Sequence, residues 1–192
     1  MAIFPDVAPD YGYSFTPQFR TKRLPVTDGD YSQRRQMRST ALYKADCAWG
    51  HLTSANERLL VEFFEARAGA WDTFTFFDFV SRVYPVATLE TSVSGSQATW
   101  TLDYRDVDDE TVYLDDTPRD SSEYTISNRT GTNGQDQLVF NTAPGATLKL
   151  TMAMSGKKYL PICVLAEDEL NSALVNFQRH QVARMTILQV NG

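Results

Sequence analysis

Residues Trp71-Asp72-Thr73-Phe74-Thr75-Phe76-Phe77-Asp78-Phe79 put aromatic rings on both sides of an extended chain. Side chains alternate across a strand, so neither face of this segment can lie fully in water. One face is expected against a helix. The other meets either a second layer of the same chain or a neighbouring subunit, two readings between which the local sequence does not choose. The helix is read just upstream. Ser54-Ala55-Asn56-Glu57 has the form of a capping box, with Ser54 accepting from the Glu57 backbone N–H and the Glu57 side chain reaching back. Leu59, Leu60, Phe63 and Phe64 then recur at three and four residues, giving one wide apolar stripe, and Gly69 suits a left-handed stop. A helix over about 54–69, roughly four turns packed on a sheet, is predicted.

Strands surround it. Residues 13–26 mix β-formers with polar residues, and Thr27-Asp28-Gly29-Asp30 supplies turn chemistry for a hairpin. Partial alternation over 40–49 predicts a third strand. From Tyr84 the pattern changes to short alternating runs at 99–104, 111–114, 124–127, 137–141 and 147–154, separated by Asp, Ser, Gly and Asn clusters. Such spacing fits a compact all-β module of sandwich or barrel type. After Gly156 the pattern of the N-terminal part returns, with strand-like runs at 159–165, 173–179 and 182–190 around the acidic turn Glu167-Asp168-Glu169. The last strand is expected to pair with the first ones. Residues 83–156 then form an insertion in a discontinuous domain made of 1–82 and 157–192.

The 192 residues are 42% apolar, enough for a real core. No apolar run approaches the roughly 20 residues that span a bilayer, and Met1-Ala2-Ile3-Phe4-Pro5-Asp6 does not resemble a secretory signal, so a protein made and used in a cytoplasm, with no membrane partner, is expected. The charge of −6 is regional: residues 83–156 hold 4 Lys/Arg against 11 Asp/Glu, the rest 14 against 13. That balance argues against free-standing nucleic-acid binding. Cys47 and Cys163 are expected as buried, reduced thiols.

Little points to catalysis. There is no G-x-S-x-G elbow, no Walker or dinucleotide loop and no metal-ligand spacing around His51 and His180. Asp106, Asp108, Asp109, Glu110, Asp115 and Asp116 lack the calcium-loop pattern and are read as solvated turns. No catalytic residue, metal or cofactor is assigned. Arg20, Lys22, Arg23, Arg34, Arg35 and Arg38 group on the first hairpin, as interface ion pairs or as a solvated edge.

Asp28-Gly29-Asp30-Tyr31-Ser32-Gln33-Arg34, then a strand, then Leu60-Val61-Glu62-Phe63-Phe64-Glu65-Ala66-Arg67-Ala68-Gly69 leading to Phe74-Thr75-Phe76-Phe77-Asp78, resembles the distal tail proteins of tailed phages and the related lambda-type minor tail proteins. The match covers about 80 residues, and its three elements occur in the family's order. Thr111-Val112-Tyr113-Leu114-Asp115-Asp116, Tyr124-Thr125-Ile126 and Leu138-Val139-Phe140-Asn141-Thr142-Ala143-Pro144-Gly145-Ala146 looks like a small β-module found repeatedly in phage tail proteins. There a Gly commonly follows the first Asp, where Asp116 stands here.

The resemblance implies a mainly β fold: a sandwich or tail-tube-like sheet with one α-helix, carrying the inserted module. It implies a non-catalytic virion protein at the tail tip, six copies closing a ring between the tail tube protein and the tip or baseplate hub protein, with tail fibres as further partners. DNA would pass through the lumen without specific binding. Arg20, Arg23, Arg34, Arg35, Trp71, Phe77 and Phe79 are the expected ring or partner contacts. The alternative is a carbohydrate-binding tail protein that contacts the host surface through Trp100, Tyr104, Tyr113 and Tyr124 of the inserted module.

Overall fold

The computed structural model describes residues 1–10, 12–19, 21–25, 32–36, 41–93, 95–146, 149–170, 172–176 and 179–190, with the backbone alone at 21–25, 32–36, 172–176, 179–180 and 183. In chain order the elements are β1 Ala2–Ile3, β2 Ser14–Gln18, β3 Thr21–Pro25, β4 Ser32–Gln36, β5 Leu42–Leu52, α1 Ser54–Ala66, β6 Phe74–Phe77, β7 Arg82–Glu90, β8 Thr99–Thr101, β9 Tyr104–Leu114, β10 Thr117–Pro118, a 3-10 turn Ser121–Glu123, β11 Tyr124–Ser127, β12 Gln137–Phe140, β13 Leu150–Leu165, β14 Ser172–Asn176 and β15 Arg179–Gln189. The protein is mainly β, with one α-helix among the described residues. No helix there is long and apolar enough to cross a membrane.

The chain divides into two compact units, one of residues 5–74 and 161–192 and one of residues 1–4 and 75–160. The divisions fall at 4/5, 74/75 and 160/161, so residues 1–4 lie with the unit expected as an insertion, and the other two bounds replace the 82/83 and 156/157 that the sequence suggests. The second shift has a plain cause. Instead of two runs broken near Gly156, β13 is one strand of 16 residues whose first part, up to Lys158, pairs with β7 and β9 and whose end, from Cys163, pairs with β15, so the division falls between the two sets of partners.

In the helix-bearing unit (5–74, 161–192), β15 pairs antiparallel with β5, placing Met185 opposite Cys47 and Ile187 opposite Ala45. It also pairs with the end of β13 and with β14, while β2 covers the other edge of β5. The last strand thus lies on the early ones. Ala45, Cys47 and Trp49 point inward at the strand period, with Val182, Met185, Ile187 and Leu60. The Trp49 indole keeps its polar end satisfied by donating to the Val7 carbonyl at 3.0 Å. Both cysteines are buried, and burial pushes the Cys163 thiol up to about 12. Strands β3 and β4 form a separate ribbon with Pro25 opposite Ser32. Its connecting residues Thr27, Asp28, Gly29 and Asp30 lie outside the described residues.

The helix cap sits one residue earlier than the capping box suggests. Thr53 is the cap, in extended conformation, with its side chain accepting from Asn56 N. Leu52 is still paired with His180 of β15, so Thr53 is the first residue able to turn. The helix ends at Ala66 rather than near 69, because Ala68 and Gly69 are both left-handed, at φ 48° and 65°. Leu60 is fully buried. Leu59 is exposed, so the buried stripe is narrower than the apolar pattern of the sequence.

The inserted unit (1–4, 75–160) is built on β13, which carries β7 on one side and β9 on the other. A three-stranded sheet β8-β12-β11 accompanies them. Trp100, Leu102, Val112, Leu114, Leu138, Phe140, Leu150 and Met152 form its core. Strand β9 runs unbroken through Asp106-Val107-Asp108-Asp109-Glu110, where composition alone predicts a turn. The strand absorbs them as bulges, with Asp106 and Asp109 at φ 50° and 52° and shifts in the ladder opposite. Asp tolerates this conformation better than most residues.

The link from β9 to β10 is Asp115-Asp116, both left-handed (φ 47° and 61°), with Leu114 opposite Thr117. Positive φ at both central residues defines a type I′ turn, which favours Gly at the second. Asp115 belongs where it is: its Oδ1 accepts from Lys149 N at 2.7 Å, and its own N donates to Lys149 O at 2.9 Å. Asp116 makes a 3.7 Å ion pair to Lys149 from an exposed position, which contributes little. Asp116→Gly is therefore expected to stabilise the inserted unit by about 0.5–1 kcal/mol, read as a higher urea midpoint.

Candidate functional site

Trp71 is the most exposed of the large apolar side chains among the described residues, at 85%, and the turn that carries it is pinned. The Arg67 N–H closes the helix on the Phe63 and Phe64 carbonyls, and Gly69 N reaches Phe64 O at 3.2 Å. A Cβ on Gly69 would lie 3.2 Å from both Cα and Oδ1 of Asp168, besides needing a positive φ. The same Asp168 Oδ1 accepts from Ala70 N at 3.1 Å. Arg67 and Asp72 add an ion pair at 3.3 Å and a backbone bond at 3.1 Å. On the far side of the acidic turn, Glu167 Oε2 accepts from Thr186 N, and Ala166 N donates to Thr186 O, both at 2.9 Å. The acidic turn is thus a clamp that holds the indole away from its own core.

The aromatic strand itself is covered within the chain. Residues Phe74, Thr75, Phe76, Phe77 and Asp78 are all buried. Phe74 meets Phe63 edge-on at 5.2 Å. Phe76 packs against Phe4 and Phe79 at 5.6 and 5.4 Å. Phe77 lies 5.1 Å from Tyr159 and under the Arg105 guanidinium at 4.5 Å. Phe77 is therefore not presented at the surface, and Phe79 is half-buried against Phe4 and Phe76. Of the expected contacts, Trp71 stands outward, and Arg20 lies outside the described residues.

Arg23, Arg34 and Arg35 sit on the β3–β4 ribbon, whose register sets Arg23 opposite Arg34 and Lys22 opposite Arg35.

The expected sugar platforms do not form. Trp100, Tyr104 and Tyr124 are buried and Tyr113 is half-buried, with Trp100 edge-on to Phe140 at 5.6 Å and its N–H donating to Glu90 at 2.6 Å. The acidic residues are likewise dispersed. Asp106 binds Arg129 and Lys157, both at 2.9 Å, and no group of three potential ligands gathers for a metal ion among the described residues.

One ionic network has no local signature, since its members are distant in the chain. Asp46 on β5 meets Lys44 at 2.8 Å, Arg184 at 2.9 Å and the Thr186 hydroxyl at 2.8 Å. Burial alone would raise its pKa, yet hydrogen bonds from Lys44, Arg184 and Thr186 outweigh it and hold the carboxyl well below the ordinary 3.8. A depressed folded value means that stability is fully present above the unfolded pKa and is lost as pH falls toward the folded one. Between about pH 4 and pH 2 the thermal midpoint of the wild type should therefore fall more steeply than that of Asp46→Asn. Parallel slopes would remove Asp46 from the account.

No protein-family model matches the chain, and no curated protein matches it.

Proposed function

We propose that this chain is a structural subunit of a phage tail. On this reading six copies close a ring at the distal end, joining the tube to the tip or baseplate hub around the DNA channel, in the virion but made in the host cytoplasm. The reading is supported by the ordered resemblance from Asp28 to Asp78 and by a mainly β chain with one helix and an interrupting unit. The observation that carries it is Trp71, a large apolar ring pinned outward on a clamped turn. Such a residue stays wetted in a monomer and becomes an anchor when a partner covers it.

The charge pattern suits assembly of like copies, since a cationic ribbon and the stretch 83–156, with 11 acidic against 4 basic residues, are complementary between subunits. DNA would then pass an acidic or neutral lumen without adhering. Native mass measurement over a wide concentration range, with imaging of intact particles, tests the reading. A ring of defined stoichiometry at the tail tip is expected. A monomer at every concentration, absent from particles, would overturn it. A second reading, recognition of host-surface glycans by the inserted unit, gains support from a cavity of about 420 Å³ on that unit, lined by Arg119, Ser122, Glu123, Asn141 and Thr142 among others.

A further inference from the structure

The link between β11 and β12 carries the pair Asn133-Gly134. Gly134 N donates to Gly131 O at 3.0 Å and Gly131 N to Gln135 O at 2.8 Å, so residues 131–134 form a closed turn. Gly134 is left-handed, at φ 75°, a conformation that costs a residue without Cβ little. The Asn133 side chain is tied as well: its Nδ2 donates to the Tyr159 hydroxyl at 2.9 Å. Tyr159 is a fixed post, buried on β13, with its N donating to Asp103 O at 2.9 Å and its ring 5.1 Å from Phe77. Asn133 itself is only half-buried, within reach of water.

Asparagine before glycine is chemically unstable, because no side chain on the glycine hinders its backbone nitrogen from closing on the asparagine carboxamide. Deprotonated Gly134 N attacks Asn133 Cγ, the Cγ–Nδ2 bond breaks, and ammonia leaves with a proton from water. The product is a five-membered succinimide. Water then opens it at the Cγ carbonyl, giving aspartate, or at the backbone carbonyl, giving isoaspartate, whose chain runs on through the side-chain carbon. The net change is one water consumed and one ammonia released. Ring closure needs Gly134 N and Cγ at a near-attack distance of about 3–3.5 Å. The folded turn opposes it, since Gly131 O holds the Gly134 N–H and Tyr159 holds the carboxamide. Both bonds must open first, so the folded chain reacts at the intrinsic rate scaled by the population of the open turn.

We propose that Asn133 is a site of spontaneous deamidation to aspartate and isoaspartate, and that its bond to the Tyr159 hydroxyl delays the reaction in the folded protein. The consequence falls on the inserted unit. Isoaspartate adds a carbon to the backbone between Gly131 and Gln135 and disrupts the two bonds that close the turn. Asp136, which holds the Arg129 and Val107 N–H groups, follows three residues later. An aged chain therefore has a looser inserted unit. The proposal does not require ring assembly, so either can fail alone.

Peptide mapping by mass spectrometry on the full chain, aged at mildly alkaline pH with and without urea, tests it. In urea the peptide holding Asn133 should gain one mass unit, faster as pH rises, together with a carboxyl that an isoaspartate-specific methyltransferase labels. Gly134→Ala should slow this by roughly tenfold or more in urea, where folding plays no part. In the folded wild type the gain should be slower than in urea by at least about tenfold. Tyr159→Phe keeps a ring against Phe77 and removes only the hydroxyl. It should deamidate at Asn133 at least about threefold faster than the folded wild type, with amide exchange at Leu138 of β12 unchanged. Aged wild type, separated by its added charge, should unfold at a lower urea midpoint. No gain at Asn133 in urea, or equal rates folded and unfolded, would overturn the proposal. So would a Tyr159→Phe rate equal to that of the wild type, or one whose rise is matched by faster exchange at Leu138.

Discussion

Asp136→Ala is expected to cost the inserted unit about 3–5 kcal/mol, the largest effect of any single substitution considered. The side chain is fully buried. Its Oδ1 accepts from the Arg129 backbone N–H at 2.7 Å and its Oδ2 from that of Val107 at 2.9 Å. Both donors sit at strained backbone: Arg129 is itself left-handed, at φ 56°, and Val107 follows the left-handed Asp106 in the bulge of β9. The backbone of Asp136 adds bonds to the Tyr104 carbonyl and the Leu102 N–H, each at 2.9 Å. Each hydrogen bond to a charged acceptor contributes about 1.5–3 kcal/mol, and truncation removes two at once. Asp136→Asn keeps one acceptor and should cost about half as much. Urea unfolding, followed by amide exchange in β8, β9 and β12, reads the change. A loss under about 1 kcal/mol would show that water replaces the carboxylate, and its role in holding the β9 bulge and the Arg129 turn would fall.

Trp71→Ala is expected to separate assembly from folding. An exposed side chain that touches little of its own chain should change monomer stability by no more than about 0.5 kcal/mol. At a subunit contact the same truncation should cost about 2–4 kcal/mol, a weakening of roughly 30- to 1000-fold. Sedimentation at several concentrations, beside a melting curve, distinguishes the two. Unaltered assembly would show that the indole is not a contact. A lowered melting midpoint would show that it packs on its own chain.

Much of the architecture is legible locally. Strands β8, β11 and β12 announce themselves by alternation, and the Leu60 helix by its stripe, because both periods follow from backbone geometry, whereas β7 over Arg82–Glu90 falls outside the runs read from the sequence. The boundaries are less legible. Thr53 displaces Ser54 as the cap because Leu52 is held by a strand far along the chain. Residues 106–110 become strand because β13 supplies a ladder partner that composition does not reveal.

The candidate sites divide the same way. Trp71 stands out by its chemistry, but its exposure follows from Asp168, whose carboxylate holds a turn 98 positions away in the chain. The Arg119–Glu123 cavity has no signature, since it needs the segment after β12 to fold back on the 3-10 turn.

Sequence by itself thus determined a mainly β chain, the one helix among the described residues and two buried cysteines, because periodicity and burial preference act over a few residues. Tertiary structure alone decided which aromatic stands outside, which carboxylate holds a strand bulge and a strained turn, and where a cavity opens. Those depend on bonds between side chains and backbone groups that meet only after the strands have paired.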